Sequence, residues 1–197
     1  MKKKILIING HPYKESLNYA IADAYEKGAL AKGAVVKRIN IGELVFDLNL
    51  KFGYKKDMEL EPDIKESIEK IKWADHVVFI YPLWWGSYPA IMKGFIDRVF
   101  LPKVAFDYDE NNKRKMFFQD KSARIIVTME QPVWYYKLIC RSCATVQLKH
   151  ITLNFCGIKK VRTTYFGSIG KMSEEKCKEI LKITESIAQK EVRKLID

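Results

Sequence analysis

Short runs that are apolar on both faces, separated by stretches of helical periodicity, constrain the fold of this chain most. Residues 5–8 and 77–80 are the clearest of these runs, and residues 35–39, 124–127 and 161–165 are predicted as three further strands. A strand with two apolar faces belongs in a sheet that is covered on both sides. Five strands alternating with helices therefore predict an α/β protein with a parallel sheet.

The helices between these strands are predicted from apolar stripes and from residues that begin or end a helix. We expect helices at 17–31, from Pro62 onward, near 89–100, at about 133–148 and after Ser173. Residues 107–120 are polar and predict a surface excursion. No repeat or linker divides the sequence, so residues 1–197 are predicted to form a single domain.

The order of the strands predicts where a ligand would bind. With five parallel strands, we expect a flavodoxin-like three-layer sandwich with the strand order 2-1-3-4-5. In that order the first and third strands are neighbours, and ligands bind beyond their carboxyl ends. The loops after these two strands should therefore carry the chemistry.

The loop after the first strand runs from Gly10 to Asn18 and leads into a helix. It brings a histidine (His11), a hydroxyl (Ser16) and an amide (Asn18) to a helix N-terminus, whose free N–H groups attract anions. The pattern predicts a phosphate cradle, although it is neither a Walker loop nor G-x-G-x-x-G. A simpler interpretation makes Ser16 a helix N-cap and leaves the other two residues without a ligand.

The loop after the third strand is unusually rich in aromatic residues. It reads Tyr81-Pro82-Leu83-Trp84-Trp85-Gly86-Ser87-Tyr88-Pro89. Aromatic side chains at a strand end indicate either a flat ligand that lies against them or a hydrophobic patch covered by a partner subunit. Both interpretations stay open at this point.

Composition limits the possible partners without choosing among them. The chain has 35 basic and 24 acidic residues, a formal net charge of +11, and the lysines are scattered rather than grouped in a recognised nucleic-acid module. We therefore expect no nucleic acid partner, and an acidic protein or a membrane surface stays possible. The apolar run after Lys2-Lys3-Lys4 is too short for a signal peptide, and no stretch is long and apolar enough for a membrane helix. The four cysteines indicate neither a disulfide framework nor a metal site. From these observations a cytoplasmic protein is expected.

The two loops and their flanking helices resemble a known family. The motifs are His11-Pro12-x-x-x-Ser16-x-Asn18 and Tyr81-Pro82-Leu83-Trp84-Trp85-x-x-x-Pro89-Ala90-x-x-Lys93-Gly94-Phe95-x-x-Arg98-Val99-Phe100. They are similar to those of the NAD(P)H:quinone oxidoreductase family of flavodoxin-like flavoproteins. Phe155-Cys156-Gly157-Ile158 is also similar, so the resemblance covers roughly residues 4–170.

This resemblance implies which residues would bind a flavin. The phosphate would contact His11, Ser16, Leu17 and Asn18, and the ring would lie against Pro82, Leu83, Trp84 and Trp85. The third element is the loop after the fourth strand, which contains Thr128, Met129, Glu130 and Gln131 where the family has Thr-Thr-Gly-Gly. Without glycine this backbone does not adopt positive φ cheaply, and Glu130 would place a carboxylate near a ring that becomes anionic on reduction.

A second departure concerns residues that assist hydride transfer in the family. A gapless projection puts Tyr136 at the family's tyrosine position and Ser142 at its histidine position. Tyr136 is therefore the predicted catalytic residue. The alternative is that Trp134-Tyr135-Tyr136 forms an aromatic helix face buried in a dimer.

By resemblance, the chain is expected to be an oxidoreductase that passes hydride from NAD(P)H through a bound flavin to a quinone-like or other electron-poor small molecule. The FAD-binding members of this family hold the adenosine half of the cofactor with a longer segment between the second helix and the third strand. Here residues 40–61 are shorter and offer only Phe46, Phe52 and Tyr54 as platforms for an adenosine, so FMN is favoured over FAD. A homodimer is expected, because in this family the acceptor site lies between subunits. The alternative function is a flavin-binding ancillary subunit of a potassium-efflux type membrane transporter.

Overall fold

The computed structural model describes residues 2–196, so Met1 and Asp197, the two ends of the predicted domain, lie outside the described residues. The strands are β1 (Lys4–Asn9), β2 (Val35–Asn40), β3 (His76–Pro82), β4 (Phe106–Tyr108), β5 (Arg114–Met116), β6 (Ser122–Thr128) and β7 (Lys160–Phe166). The α-helices are α1 (Leu17–Leu30), α2 (Pro62–Trp73), α3 (Ala90–Val99), α4 (Val133–Leu138), α5 (Cys143–Val146) and α6 (Glu174–Ile196).

The main sheet has five parallel strands in the order β2-β1-β3-β6-β7. Counted along the chain, its strands follow the predicted order 2-1-3-4-5. The chain runs outward from β1 to β2, then crosses back over β1 to form β3, and continues to β6 and β7 on the other side. The carboxyl ends of β1, β3 and β6 therefore lie side by side, with β3 between the other two.

Both faces of this sheet are covered, which confirms the predicted three-layer sandwich. On β1, Ile5 and Ile7 belong to a core that includes α1 and α6. Leu6 and Ile8 belong to a second core on the opposite face, which includes α2, α3 and Tyr136. Alternate side chains of β1 therefore contribute to two separate cores, because neighbouring side chains of a strand point to opposite faces of the sheet.

The region predicted as one helix at 133–148 is divided in the structure. α4 ends at Leu138, and the chain turns before α5 begins at Cys143. Arg141 and Ser142 both have positive φ values, which a continuous helix does not allow. A π-helical segment, Gln147–Leu153, follows α5. The apolar periodicity of this region persists across the turn, and therefore suggested a single helix.

The polar excursion predicted at 107–120 contains a small antiparallel hairpin. β4 and β5 pair in the register Phe106↔Met116 and Tyr108↔Arg114. Asp109 closes the turn by accepting the N–H groups of Asn111 and Lys113. The segment is thus an ordered ribbon outside the main sheet.

α6 is attached to the sheet by a buried carboxylate. Glu191 is 3% exposed and accepts hydrogen bonds from Arg124 of β6 (2.8 Å) and Tyr25 of α1. His76 of β3 lies 3.2 Å from the same carboxylate. Burial alone would raise the pKa of Glu191, but its bonds with His76 and Arg124 outweigh burial and hold the pKa well below its ordinary value of 4.5.

Among residues 2–196, no helix is both long and apolar enough to cross a membrane.

Glu191→Gln is expected to lower the free energy of unfolding by about 3–5 kcal/mol, because the amide leaves the buried Arg124 guanidinium without a counter-charge. The depressed pKa means that Glu191 contributes stability above the unfolded value of 4.5 and loses it as pH falls toward the folded value. The difference between wild type and variant, measured by urea unfolding, should therefore be largest near neutral pH and shrink in acid. Glu179→Gln on the exposed face of α6 is the matched control, with an expected change below about 0.5 kcal/mol. Equal effects of the two substitutions would contradict this account.

Candidate functional site

The loops that follow β1, β3 and β6 line one cavity of about 550 Å³ at the carboxyl edge of the sheet. Its lining consists of His11, Ser16, Leu17, Asn18, Pro82, Leu83, Trp84, Trp85, Thr128, Met129, Glu130, Gln131 and Ile169. The structure thus brings together every residue that was predicted to bind the cofactor. The cavity lies where the strand order reverses, as expected for an open α/β sheet.

The first loop presents polar groups that lack partners. Ser16 occupies the N-cap position of α1, but its side chain makes no capping hydrogen bond. Its hydroxyl is buried and finds no hydrogen-bond partner among residues 2–196. A buried donor without a partner is costly, and a phosphate at the helix N-terminus would satisfy it. This geometry favours the cradle over the interpretation of Ser16 as a plain N-cap.

Asn18 is oriented by a neighbouring loop. Thr128 Oγ1 donates to Asn18 Oδ1 at 2.9 Å, which assigns the other end of the amide as the donor. That Nδ2 group is also buried and has no hydrogen-bond partner among the described residues. Thr128 and Asn18 come from β6 and α1, so their bond joins the two sides of the cavity. Together, Ser16 and Asn18 offer two unused donors, and these fit a phosphate.

His11 is held as a neutral ring beside the aromatic loop. The N–H of Tyr13 donates to His11 Nδ1 at 3.0 Å, so the proton of the neutral ring resides on Nε2. Burial lowers the pKa of His11, which also favours the neutral form. The ring meets Trp84 edge to face, with centroids 5.4 Å apart. His11 is thus a donor to a ligand through Nε2 rather than a fixed positive charge.

The second loop forms a tight turn that presents aromatic surface. Trp84 and Ser87 exchange backbone hydrogen bonds of 2.8 and 2.9 Å, which closes the turn. Trp85 and Gly86 at its tip both have positive φ values, a conformation that glycine accepts at little cost. The Trp84 side chain is half exposed, and that of Trp85 is fully exposed. The loop therefore provides a flat apolar surface at the mouth of the cavity.

The third loop passes the cavity without the glycines of the family motif. Met129 N–H donates to Phe166 O at 2.9 Å, and the Met129 side chain is buried. None of Thr128, Met129, Glu130 and Gln131 has a positive φ value. The loop therefore needs no left-handed turn here. Glu130 is exposed at the mouth of the cavity.

Tyr136, the predicted catalytic residue, does not reach the cavity. Its side chain is 0% exposed, and its hydroxyl accepts the N–H of Thr145 at 3.1 Å and bonds to the Thr145 hydroxyl. The ring packs edge to face with Tyr165. In this structure Tyr136 fastens the segment after α4 to the core, and it offers no hydroxyl to a ligand. Ser142, at the family's histidine position, has a left-handed backbone and precedes α5.

Ile169 lines the cavity and was missed by the sequence interpretation. It follows β7, and its N–H donates to Met129 O at 3.3 Å. No charged or aromatic group marks Gly167-Ser168-Ile169, so residue chemistry gave no signal. The strand order did provide a signal for this position, because the loop after β7 must lie beside the loop after β6.

The four cysteines are free thiols, and they are not gathered at the cavity. Cys143 donates to Gly86 O at 2.9 Å and so supports the aromatic turn. Within residues 2–196, no group of three or more histidine, cysteine or acidic side chains has metal-ligand geometry.

A family model described as having a flavodoxin-like fold matches residues 3–189, so the chain belongs to this family. The predicted family, the flavodoxin-like NAD(P)H:quinone oxidoreductases, is confirmed. A relative from Haemophilus influenzae, named as an uncharacterized NAD(P)H oxidoreductase, is 29% identical over 198 residues, covering 96% of this chain and 95% of that protein. NAD(P)H dehydrogenase (quinone) 1 from Cavia porcellus is 28% identical over 202 residues, covering 91% of this chain and 74% of that protein.

Solved structures share the fold. Smu.1420 from Streptococcus mutans has a TM-score of 0.80 and 30% identity, covering 95% of this chain and 99% of its own. The FMN-dependent NADH-azoreductase from Bacillus anthracis, solved with FMN, has a TM-score of 0.74 and 18% identity, covering 99% of this chain and 100% of its own. At that identity the likeness shows the fold.

Asn18→Asp tests the cradle directly. If the cavity receives a flavin phosphate as the cradle interpretation predicts, the carboxylate replaces an amide donor and sets a negative charge against it, so the affinity for added FMN should fall by about 2–3 kcal/mol, or roughly 30- to 150-fold. Flavin fluorescence quenching measures this affinity. Asn111→Asp in the β4–β5 turn makes the same chemical change away from the cavity and should leave the affinity unchanged. Unchanged affinity in Asn18→Asp would show that the phosphate lies elsewhere.

Proposed function

We propose that the protein is an NAD(P)H oxidoreductase that binds FMN in the cavity at the carboxyl edge of the sheet and reduces a quinone-like or other electron-poor small molecule. The observation that carries this proposal is the pair of buried donors, Ser16 Oγ and Asn18 Nδ2, beside an aromatic turn in one cavity. These donors suit a phosphate, and the turn suits a flat ring. The names of the Haemophilus influenzae and Cavia porcellus relatives support the reaction class.

FMN is preferred to FAD because the chain offers no clear place for an adenosine. Of the candidate platforms, Phe46 packs against Phe95 in the core. Phe52 and Tyr54 are exposed side chains, and neither lines the cavity. The presence of FMN in the Bacillus anthracis azoreductase, which shares the fold, supports the same choice.

The overall reaction balances as NAD(P)H, one proton and a quinone giving NAD(P)⁺ and a hydroquinone. The bound flavin supplies the two-electron relay between the two substrates. The chain's own residues bind and orient. The phosphate would be held by Ser16, Asn18 and the α1 N-terminus. Trp84 and Leu83 would support the ring, and the Nε2–H of His11 would be available as a hydrogen-bond donor to the flavin.

We also propose that the protein acts as a homodimer of flavodoxin-like domains, with the aromatic turn near the interface. Trp134 (61% exposed) and Leu138 (71% exposed) lie on α4, and Ile139 follows them, also exposed. The Cys143–Gly86 bond links this region to the turn that carries Trp85. An exposed apolar patch next to a ligand cavity is typical of an interface. Such a partner subunit would cover the open side of the cavity.

The dimer is tested by its mass in solution. The wild type should have about twice the chain mass of 23.0 kDa by size-exclusion chromatography with light scattering. Leu138→Glu should shift it toward the monomer, because the carboxylate would be buried in the interface. Leu30→Glu, on the exposed end of α1, makes the same change elsewhere and should leave the mass unchanged. A wild type that is monomeric at micromolar concentration would contradict the dimer.

We place this activity in the cytoplasm, where NAD(P)H is available.

The alternative function, an ancillary subunit of a potassium-efflux transporter, has no support in the names of the relatives. The two functions differ in whether turnover needs a partner protein.

The proposed activity predicts a yellow protein with a flavin absorbance spectrum after purification or after addition of FMN. Mass spectrometry of the released cofactor should identify FMN rather than FAD. The holoprotein alone should oxidise NADH or NADPH in the presence of a quinone. A protein that stays colourless after addition of FMN and of FAD would contradict flavin binding. A flavin-loaded protein with no turnover would instead favour the ancillary role.

A further inference from the structure

The cavity has a single formal charge in its lining. Apart from Glu130, its residues are apolar or carry neutral amide and hydroxyl groups, and the one histidine, His11, is held neutral. The whole chain has a net charge of +11, so a lone carboxylate here opposes the general sign of the protein. An approaching substrate therefore meets a local negative charge.

Glu130 stands apart from the phosphate cradle. It follows β6, whereas Ser16 and Asn18 belong to the loop and helix after β1, and β3 separates the two strands. Strands separated by one neighbour are about 10 Å apart. Thr128 bridges this gap through its bond to Asn18, whereas the Glu130 side chain lies against Gly170, which follows β7 on the side away from the cradle.

The position of Glu130 is set by its neighbours on both sides. Before it, Met129 is buried and its N–H bonds to Phe166 O of β7. Beside it, the Cγ and Cδ atoms of Glu130 lie 3.6 Å from the place that a Cβ atom on Gly170 would occupy. The Glu130 side chain thus packs along the turn that carries Ile169, another residue of the cavity lining. Glu130 lines the cavity and is exposed, so its carboxylate lies at the mouth of the cavity.

We propose that Glu130 selects electron acceptors by their charge. It favours neutral and cationic acceptors, and it disfavours acceptors that carry a sulfonate, carboxylate or phosphate group. For an assumed separation of about 6–8 Å and an effective dielectric constant between that of a protein surface and water, one unit charge changes the affinity roughly three- to tenfold. This inference rests on the proposed function, because it assumes that acceptors enter this cavity.

The same carboxylate affects the bound flavin. A negative charge near the ring disfavours the further negative charge that the ring gains on reduction. Glu130 should therefore lower the midpoint potential of the flavin. This second consequence is measurable without any turnover.

The kinetic experiment compares a naphthoquinone with its sulfonated analogue in wild type, Glu130→Gln and Glu69→Gln. Glu69 is an exposed residue of α2 near the amino ends of the strands, paired with Lys72, and its substitution changes the net charge equally. In Glu130→Gln the ratio of kcat/KM for the sulfonated over the unsulfonated quinone should rise three- to tenfold, and in Glu69→Gln it should not change. The difference in this ratio between wild type and Glu130→Gln should shrink as ionic strength rises, because salt screens an exposed charge.

The equilibrium experiment measures the midpoint potential of bound FMN in the same three proteins. Glu130→Gln should raise it by about 15–30 mV, which corresponds to the same three- to tenfold change for a two-electron couple. An active enzyme whose acceptor ratio and flavin potential are both unchanged by Glu130→Gln would overturn this inference alone. A wild type that binds no flavin and reduces neither quinone would overturn the proposed function, and this inference with it.

Discussion

The structure depends on the reversal of strand order between β1 and β3. Both faces of β1 are buried, so the helix that follows it and the helix that precedes β3 must lie on opposite faces of the sheet. α1 therefore leaves β1 toward one side, and the loop after β3 leaves toward the other. The crevice between them, where β1 and β3 are neighbours, is the cavity.

The Thr128–Asn18 hydrogen bond turns this crevice into a specific site. It joins β6 to the start of α1 across β3, and it uses the acceptor end of the Asn18 amide. The donor end then has no partner among the described residues, as does the Ser16 hydroxyl. Burying both groups without partners costs free energy, and a ligand that supplies acceptor oxygens would remove this cost. The conformation is thus prepared for an anion before one binds.

Much of the fold could be predicted because its signals are local. The doubly apolar runs at β1 and β3 indicate a covered parallel sheet, and the polar and aromatic loops stand directly after them. The grouping of the loop after β6 with these two depended on the family resemblance and on strand order. Its position was therefore predictable, although its missing glycines suggested a strain that the backbone does not have.

Other features depend on backbone conformations or tertiary contacts that the sequence pattern does not reveal, and these could not be predicted. The break after α4 depends on positive φ values at Arg141 and Ser142, which the helical periodicity of the segment does not reveal. Tyr136 was placed at the ligand by alignment with a family position, but Thr145 binds its hydroxyl inside the core. Glu191 appears in the sequence as one more charge on a terminal helix. Only the fold brings it to Arg124 and His76.

The central claim is that the donors of Ser16 and Asn18 receive the phosphate of a flavin whose ring lies on the aromatic turn. A crystal structure of the protein with FMN tests it most directly. The account predicts phosphate oxygens within hydrogen-bond distance of Ser16 Oγ and Asn18 Nδ2, with the ring between Trp84 and the Thr128–Gln131 loop. A phosphate bound away from the α1 N-terminus, with these two donors still unsatisfied, would contradict it.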